Sequence, residues 1–141
     1  KPAETAESFR DGWVRPGDLA RVDEEGFLFI VDRAKDIIIR GGENIYSSEV
    51  EDVLYAHPAV TDAALIGITH RTLGEEPAAV VHLAPGTQAT EAELQQWVRD
   101  RIAGFKVPVA VRFVKETLPR NANGKILKKD LKALFAEEAA A

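Results

Sequence analysis

The chain contains no cysteine and no methionine. Without thiols it can form no disulfide, no thiolate metal site and no cysteine nucleophile. Its three histidines, His57, His70 and His82, lack the spacing of a metal-ligand set. No apolar run approaches the ~20 residues needed to cross a bilayer, and no signal-peptide pattern is visible. Contiguous basic blocks and RNA-binding motifs are also missing, and the formal net charge is -5, so nucleic acid is not an expected partner. There is no Ser-His-Asp arrangement, nucleophile elbow or zincin motif, which removes the self-contained covalent catalysts. A soluble, cytoplasmic protein is the expectation. The chain starts at Lys1, and we expect a segment of a longer protein, with part of any active site supplied by the rest.

What is present suits one globular domain with its own core: 141 residues, 45% hydrophobic and 29% charged. Residues 1–12 are polar and patternless and read as a loop. Asp18 to Asp23 alternates, Glu24-Glu25-Gly26 turns and Phe27 to Val31 is apolar, which predicts a β-hairpin. Ile37-Ile38-Ile39 is a third strand, ended by Gly41-Gly42. Ser48 and Glu51 have capping-box spacing, and Val50, Val53 and Leu54 follow at helical spacing until Pro58. Ala63–Ile68 and Ala78–Leu83 read as strands joined by the polar connection from His70 to Pro77. Thr90 and Glu93 form a second capping box, and its helix carries Leu94, Trp97, Val98 and Ile102, with Gly104 closing it. Residues 109–114 are a further strand, and Leu131, Leu134 and Phe135 mark a last helix that frays from Glu137 onward. The expected fold class is α+β, a small sheet with packed helices preceded by a separate hairpin. The boundary falls at Arg33-Ala34-Lys35-Asp36, where the apolar run breaks into charges that could let one part reorient.

Four places carry candidate chemistry. Asp18, in Gly17-Asp18 at a strand start, can accept from both hydroxyls of a sugar diol, although a turn aspartate is the ordinary reading. Asp32 to Asp36 alternates in charge. It reads as surface ion pairs worth little, or as an arginine for a ribose or phosphate beside a hinge lysine. Gly41-Gly42 lets a thin ligand or another chain approach the backbone, whereas a plain loop would need one glycine. It is no P-loop, because the Gly-Lys-Ser/Thr ending is absent. Lys125 follows Asn123-Gly124, a turn that tolerates positive φ. A lysine there is either an ordinary solvated residue or a movable point charge for a phosphate or carboxylate.

Taken together, these segments resemble the C-terminal part of the adenylate-forming (AMP-binding) enzymes, and the acyl-CoA synthetases in particular. Asp11 to Asp18 is similar to the family's D-G-W-x-x-T-G-D segment, and Asp32-Arg33-Ala34-Lys35-Asp36 to its hinge motif. Ile37 to Glu51 resembles the I-I-x-x-G-G-E-N-I-Y-P-x-E-V-E block, and Pro119 to Leu127 the P-R-x-x-x-G-K-I-L segment. The resemblance implies that residues 1–34 end a large N-terminal adenylation domain and that 35–141 form the mobile C-terminal domain. It implies that Asp18 and Arg33 bind the nucleotide, with Asp18 on the ribose hydroxyls, and that Lys35 is the hinge. Lys125 would be the catalytic residue, bridging the substrate carboxylate and the α-phosphate. Gly41 and Gly42 would line the tunnel for the pantetheine arm of CoA, with Phe105 and Lys106 near the CoA nucleotide. The implied partners are a carboxylic acid, ATP or AMP, CoA and the large domain of the same chain. Mg2+ is expected for the whole enzyme, but no metal ligand is expected among these residues. Two positions depart from the pattern: Ser47 stands where proline is common, and Pro16 replaces a threonine, removing a hydroxyl donor. An adenylation module loading a carrier protein, or a noncatalytic binding domain of the same fold, are the alternatives. Gly41 to Tyr46 favours the CoA ligases over the carrier-linked modules.

Overall fold

A computed structural model describes residues 1–136; the expected fraying from Glu137 lies outside the described residues. The elements in chain order are α1 (Pro2–Ser8), β1 (Phe9–Arg10), β2 (Trp13–Val14), β3 (Asp18–Val22), β4 (Leu28–Arg33), β5 (Ile38–Arg40), β6 (Glu43–Ile45), α2 (Ser47–Tyr55), β7 (Val60–His70), β8 (Gly74–Leu83), α3 (Glu91–Arg99), β9 (Ala110–Val114) and α4 (Lys128–Leu131). Strands β5 to β9 form one five-stranded sheet, while β1–β2 and β3–β4 are separate two-stranded ladders. This is the expected α+β fold, with a distinct leading hairpin.

The centre of the sheet is buried on both faces, because β7 and β8 are almost continuously apolar. Their alternate residues point to opposite sides. Leu65, Ala79 and Val81 join Val50 and Leu54 of α2 and Leu94 and Val98 of α3 in one core cluster. Ala64, Ile66, Ala78 and Val80 meet Leu118, Leu131 and Phe135 in a second cluster on the other face. The last segment of the chain, carrying Lys125, is therefore packed against the face opposite α2 and α3.

Several local expectations are corrected. Residues 1–12 are not a loop: Pro2, at the first helical position where no donor is needed, opens α1, and a short β1–β2 ladder follows. The polar connection from His70 to Pro77 is mostly strand, since the β7–β8 ladder runs out to His70↔Gly74. Half-exposed strand ends tolerate polar side chains, so polarity concealed the pairing. Ser48 does not cap α2, whose N-cap is Tyr46 with no side-chain cap bond. The Ser48 hydroxyl instead donates to the Val31 carbonyl at 3.0 Å. Glu51 accepts the Leu65 N–H at 2.8 Å rather than closing a box. Tertiary contacts have taken both groups. The second box is as expected: Thr90 accepts from Glu93 N–H, and Glu93 accepts from Thr90 N–H at 2.7 Å. Its helix ends at Arg99, before Gly104, because bonds from the Arg101 and Ile102 N–H groups to the Val98 carbonyl tighten the chain. Gly104 opens a 3-10 turn, Gly104–Lys106, instead. The last helix is a single α turn, α4, continued by the 3-10 turn Lys132–Phe135, with Leu131 and Phe135 buried and Leu134 exposed.

Candidate functional site

Asp18 and Arg33 sit opposite each other in the β3–β4 register. Cross-strand partners lie ~5 Å apart at Cβ, so the side chains meet, with Arg33 Nε 3.3 Å from Asp18 Oδ1. A carboxylate has about four lone-pair sites, and Asp18 therefore keeps acceptor capacity beyond this ion pair. The hairpin thus offers one acceptor and one guanidinium at its end, followed at once by the connector.

The connector is the 3-10 turn Ala34–Asp36, with Lys35 exposed. Its two flanks are tied to the first turn of α2. Before Lys35, Asp32 Oδ2 accepts the Ser48 N–H at 3.2 Å, and Val31 accepts the Ser48 hydroxyl. After Lys35, the Asp36 carbonyl accepts the Ser47 hydroxyl. Only the first set crosses Lys35.

Gly41 and Gly42 form the two-residue turn between β5 and β6, closed by the Arg40↔Glu43 pair. Both have positive φ, +55° and +89°, which is the type I′ arrangement that matches strand twist. The expectation that a loop here needs one glycine is corrected: this turn calls for positive φ at both positions. A Cβ on Gly41 would also approach Leu73 Cδ2 to 3.1 Å, whereas one on Gly42 would meet nothing within 4 Å. The backbone of Gly42 is therefore open to approach from outside.

Phe105 is half-buried against the α2/α3 core. Lys106 donates to Glu49 Oε2 at 2.6 Å. Both residues thus have structural partners, and the Lys106 charge is balanced by a carboxylate in the first turn of α2.

Lys125 stands on a short loop that closes on itself. An isolated bridge pairs Arg120 with Ile126, Leu127 N–H donates to Pro119 O at 2.8 Å, and Asn121 N–H to Lys125 O at 2.8 Å. The Asn121 side chain accepts the N–H groups of Asn123 and Lys125 at 3.0 and 2.9 Å, an Asx-type brace. Gly124, at φ +79°, makes the bend. The ammonium is half-exposed and lies 3.6 Å from Asp36 Oδ2. Lys125, Asp32, Asp36, Glu51, Arg120 and Lys128 all line one open cleft of about 260 Å³.

The fold therefore brings Asp18 to Arg33, and Lys125 to the connector beside Lys35. Lys106 is paired elsewhere, with Glu49. Among the described residues no group of three or more His, Asp or Glu side chains is placed to hold a metal ion. No described helix is long and apolar enough to cross a membrane.

Residues 49–125, just over half of the chain, match the AMP-binding enzyme C-terminal domain. The chain belongs to that family. It is 46% identical over 135 residues to a 2-succinylbenzoate–CoA ligase of Geobacillus kaustophilus, covering 96% of this chain and 27% of that one. It is 49% identical over 131 residues to a long-chain-fatty-acid–CoA ligase of Bacillus subtilis, covering 93% of this chain and 23% of the relative. Among solved structures, the o-succinylbenzoate CoA synthetase of Bacillus subtilis in complex with its acyl-adenylate intermediate superposes with a TM-score of 0.82. It is 42% identical, with 89% of this chain and 25% of that one covered. The chain thus spans about a quarter of the length of the curated relatives it matches.

Sequence reasoning missed one cluster in this AMP-binding C-terminal domain. Asp62, at the start of β7, is 3% exposed and is gripped by Arg120 through two bonds of 2.7 Å. The Tyr55 hydroxyl donates to it at 2.7 Å and the Leu118 N–H at 2.9 Å. Burial alone would raise the Asp62 carboxyl. The Arg120 guanidinium, the Tyr55 hydroxyl and the Leu118 N–H outweigh it and hold the group at about 2. Burial and the neighbouring carboxylate push Tyr55 up, and the same carboxylate raises Arg120. A lone carboxylate in the stretch from Ala59 to Ile68, apolar but for Thr61, was the available signal.

Proposed function

We propose that this chain is the C-terminal part of an ATP-dependent acyl-CoA ligase. The whole enzyme would join a carboxylic acid to ATP, giving an acyl-adenylate and pyrophosphate. It would then pass the acyl group to the thiol of CoA, releasing AMP. The observation that carries this reading is the placement of Lys125. It is a half-exposed cation on a braced loop, held beside the connector, in a chain that matches proteins named CoA ligases over nearly its full length.

Adenylation brings an anionic carboxylate against an anionic phosphate. A cation placed between them offsets that repulsion and stabilises charge developing on the transferring group. Lys125 takes this role. Asp18 accepts from the ribose hydroxyls, and Arg33 serves the ribose or phosphate side of the nucleotide. Residues 1–34 complete a large N-terminal domain and 35–141 form a smaller one that turns about Lys35. Rotation there would break the Ser48 bonds to Val31 and Asp32 and keep the Ser47 bond to Asp36, so the connector has a defined breaking line. After rotation a second face serves thioester formation. The type I′ turn at Gly41-Gly42 would admit the thin pantetheine arm, and Phe105 and Lys106 would lie near the CoA nucleotide once Lys106 leaves Glu49. Free CoA is favoured over a carrier protein by the names of the relatives and by the Gly41 to Tyr46 segment.

The test uses the full-length protein. Lys125→Ala should abolish ATP–pyrophosphate exchange and largely spare thioester formation from a supplied acyl-adenylate. Normal exchange in that variant would remove Lys125 from the chemistry.

A further inference from the structure

We propose that Asp62 and Arg120 are positioning residues for Lys125: their buried ion pair is the footing on which the lysine loop is held for adenylation. This rests on the reading of Lys125 given above. Neither residue reaches the exposed ammonium, so the argument is one of connectivity.

Asp62 enters at an irregularity in the β7–β8 register, between Val60 and Asp62, and such bulges re-aim a side chain out of the ladder. The carboxylate then receives two donors on each oxygen. Oδ1 accepts from Tyr55 Oη and Arg120 Nη2, and Oδ2 from Arg120 Nη1 and the Leu118 N–H. Arg120 Nη1 also donates to Leu118 O at 3.1 Å. The guanidinium therefore closes a small ring over the chain from Leu118 to Arg120, and Leu118 itself is buried in the core.

That ring sits at the root of the loop. Arg120 bridges Ile126, and among the described residues the stretch between them is held by local backbone bonds, the Asn121 side chain and the looser Lys125–Asp36 pair. The root is anchored by the packing of Leu118 and Ile126 on the core and by the Arg120–Asp62 ion pair. An exposed ion pair would be a weak attachment. This one differs because its carboxylate is almost wholly removed from water, and taking away Arg120 strands a buried charge. The planar fork of arginine matches the two carboxylate oxygens, and a lysine cannot reproduce that grip. A misplacement of about 1 Å can cost about a hundredfold in rate, so a loosened root would be felt at Lys125.

The experiment uses the full-length protein with Asp62→Asn, Arg120→Lys and, as reference, Lys125→Ala. Three readouts are taken: ATP–pyrophosphate exchange, thioester formation from a supplied acyl-adenylate, and the rate of tryptic cleavage at Lys125–Ile126 relative to Lys106–Val107. In both clamp variants the exchange kcat should fall about tenfold or more, with the thioester rate changing less than about twofold. Cleavage after Lys125 should accelerate while cleavage after Lys106 does not. Parallel loss of both half-reactions, tracking a loss of folded protein, would reduce the pair to a structural role and overturn the proposal. Unchanged exchange in a folded Arg120→Lys protein would also overturn it. If Asp62→Asn fails to fold, Arg120→Lys, which keeps the charge, carries the decision. Normal exchange in Lys125→Ala would sink the functional reading instead. The tryptic readout then judges the clamp by itself, and unaltered cleavage after Lys125 would overturn it.

Discussion

At the scale of single residues, the groups that matter are set apart by what neutralises them. Lys106 and Lys125 look alike as sequence, each a lysine on a turn after a glycine-containing stretch. Lys106 is mostly buried and in close contact with Glu49, whereas Lys125 is half-exposed and more loosely paired with Asp36. The second is the better mobile charge. Asp62 is the opposite case, a carboxylate with no freedom. Its group is held at about 2 in the fold against ~3.9 in an unfolded chain. Its contribution to stability is therefore present above pH ~4 and is lost as the pH falls toward 2, an effect of about 2–3 kcal/mol. Asp62→Asn should thus cost stability at pH 7 but much less near pH 2.5. Urea unfolding of wild type and variant at both pH values checks this, and an equal gap at the two pH values would contradict it.

Among the elements, those whose signal is local were legible. The Thr90–Glu93 box is satisfied within four residues, so sequence spacing was enough to place the start of α3. Thr90→Ala should lower stability by about 1 kcal/mol, read as a shift in the denaturation midpoint at constant slope. The Ser48–Glu51 pair has the same spacing and fails, because Val31, Asp32 and Leu65 compete successfully for the same groups. The glycine pair was noticed as a site for close approach, but its conformational reason came from the pairing of β5 with β6. Gly42→Ala should cost about 1–2 kcal/mol through the left-handed backbone alone, since no atom obstructs the new methyl group. Gly41→Ala should cost more, because its methyl group also crowds Leu73. Thermal melting of the two variants ranks them, and the reverse order would count against the Leu73 contact as the added cost at Gly41.

For the whole molecule, the decisive feature is an apolar surface that this chain leaves uncovered. Val22, Phe27, Leu28 and Ile30 of the β3–β4 hairpin, and Trp13 before it, are each more than 60% exposed. Leu28 and Ile30 share one face of β4, and Phe29 on the other face is 46% exposed. Exposed apolar area of this kind marks an interaction surface. The proposed large N-terminal domain of the same chain is the fitting occupant. Removal of residues 1–30 from the 141-residue chain should sharply reduce binding of a hydrophobic dye. It should shift the melting temperature by less than about 5 °C, because the five-stranded sheet draws its core from Ile38 onward. Collapse of the truncated chain would show that the hairpin is integral to this fold.

The sequence by itself determined the fold class, the separate leading hairpin and the candidates Asp18, Arg33, Lys35 and Lys125, because hydrophobic period, turn chemistry and motif order are properties of neighbouring residues. Tertiary structure alone decided which polar groups meet. Asp62 and Arg120 are 58 positions apart, and Lys125 and Asp36 are separated by most of the sheet in sequence. Only the folding of β7 beside the lysine loop puts a buried carboxylate within reach of a guanidinium. No local pattern encodes such a pair, because its strength comes from water excluded by residues distant in the chain.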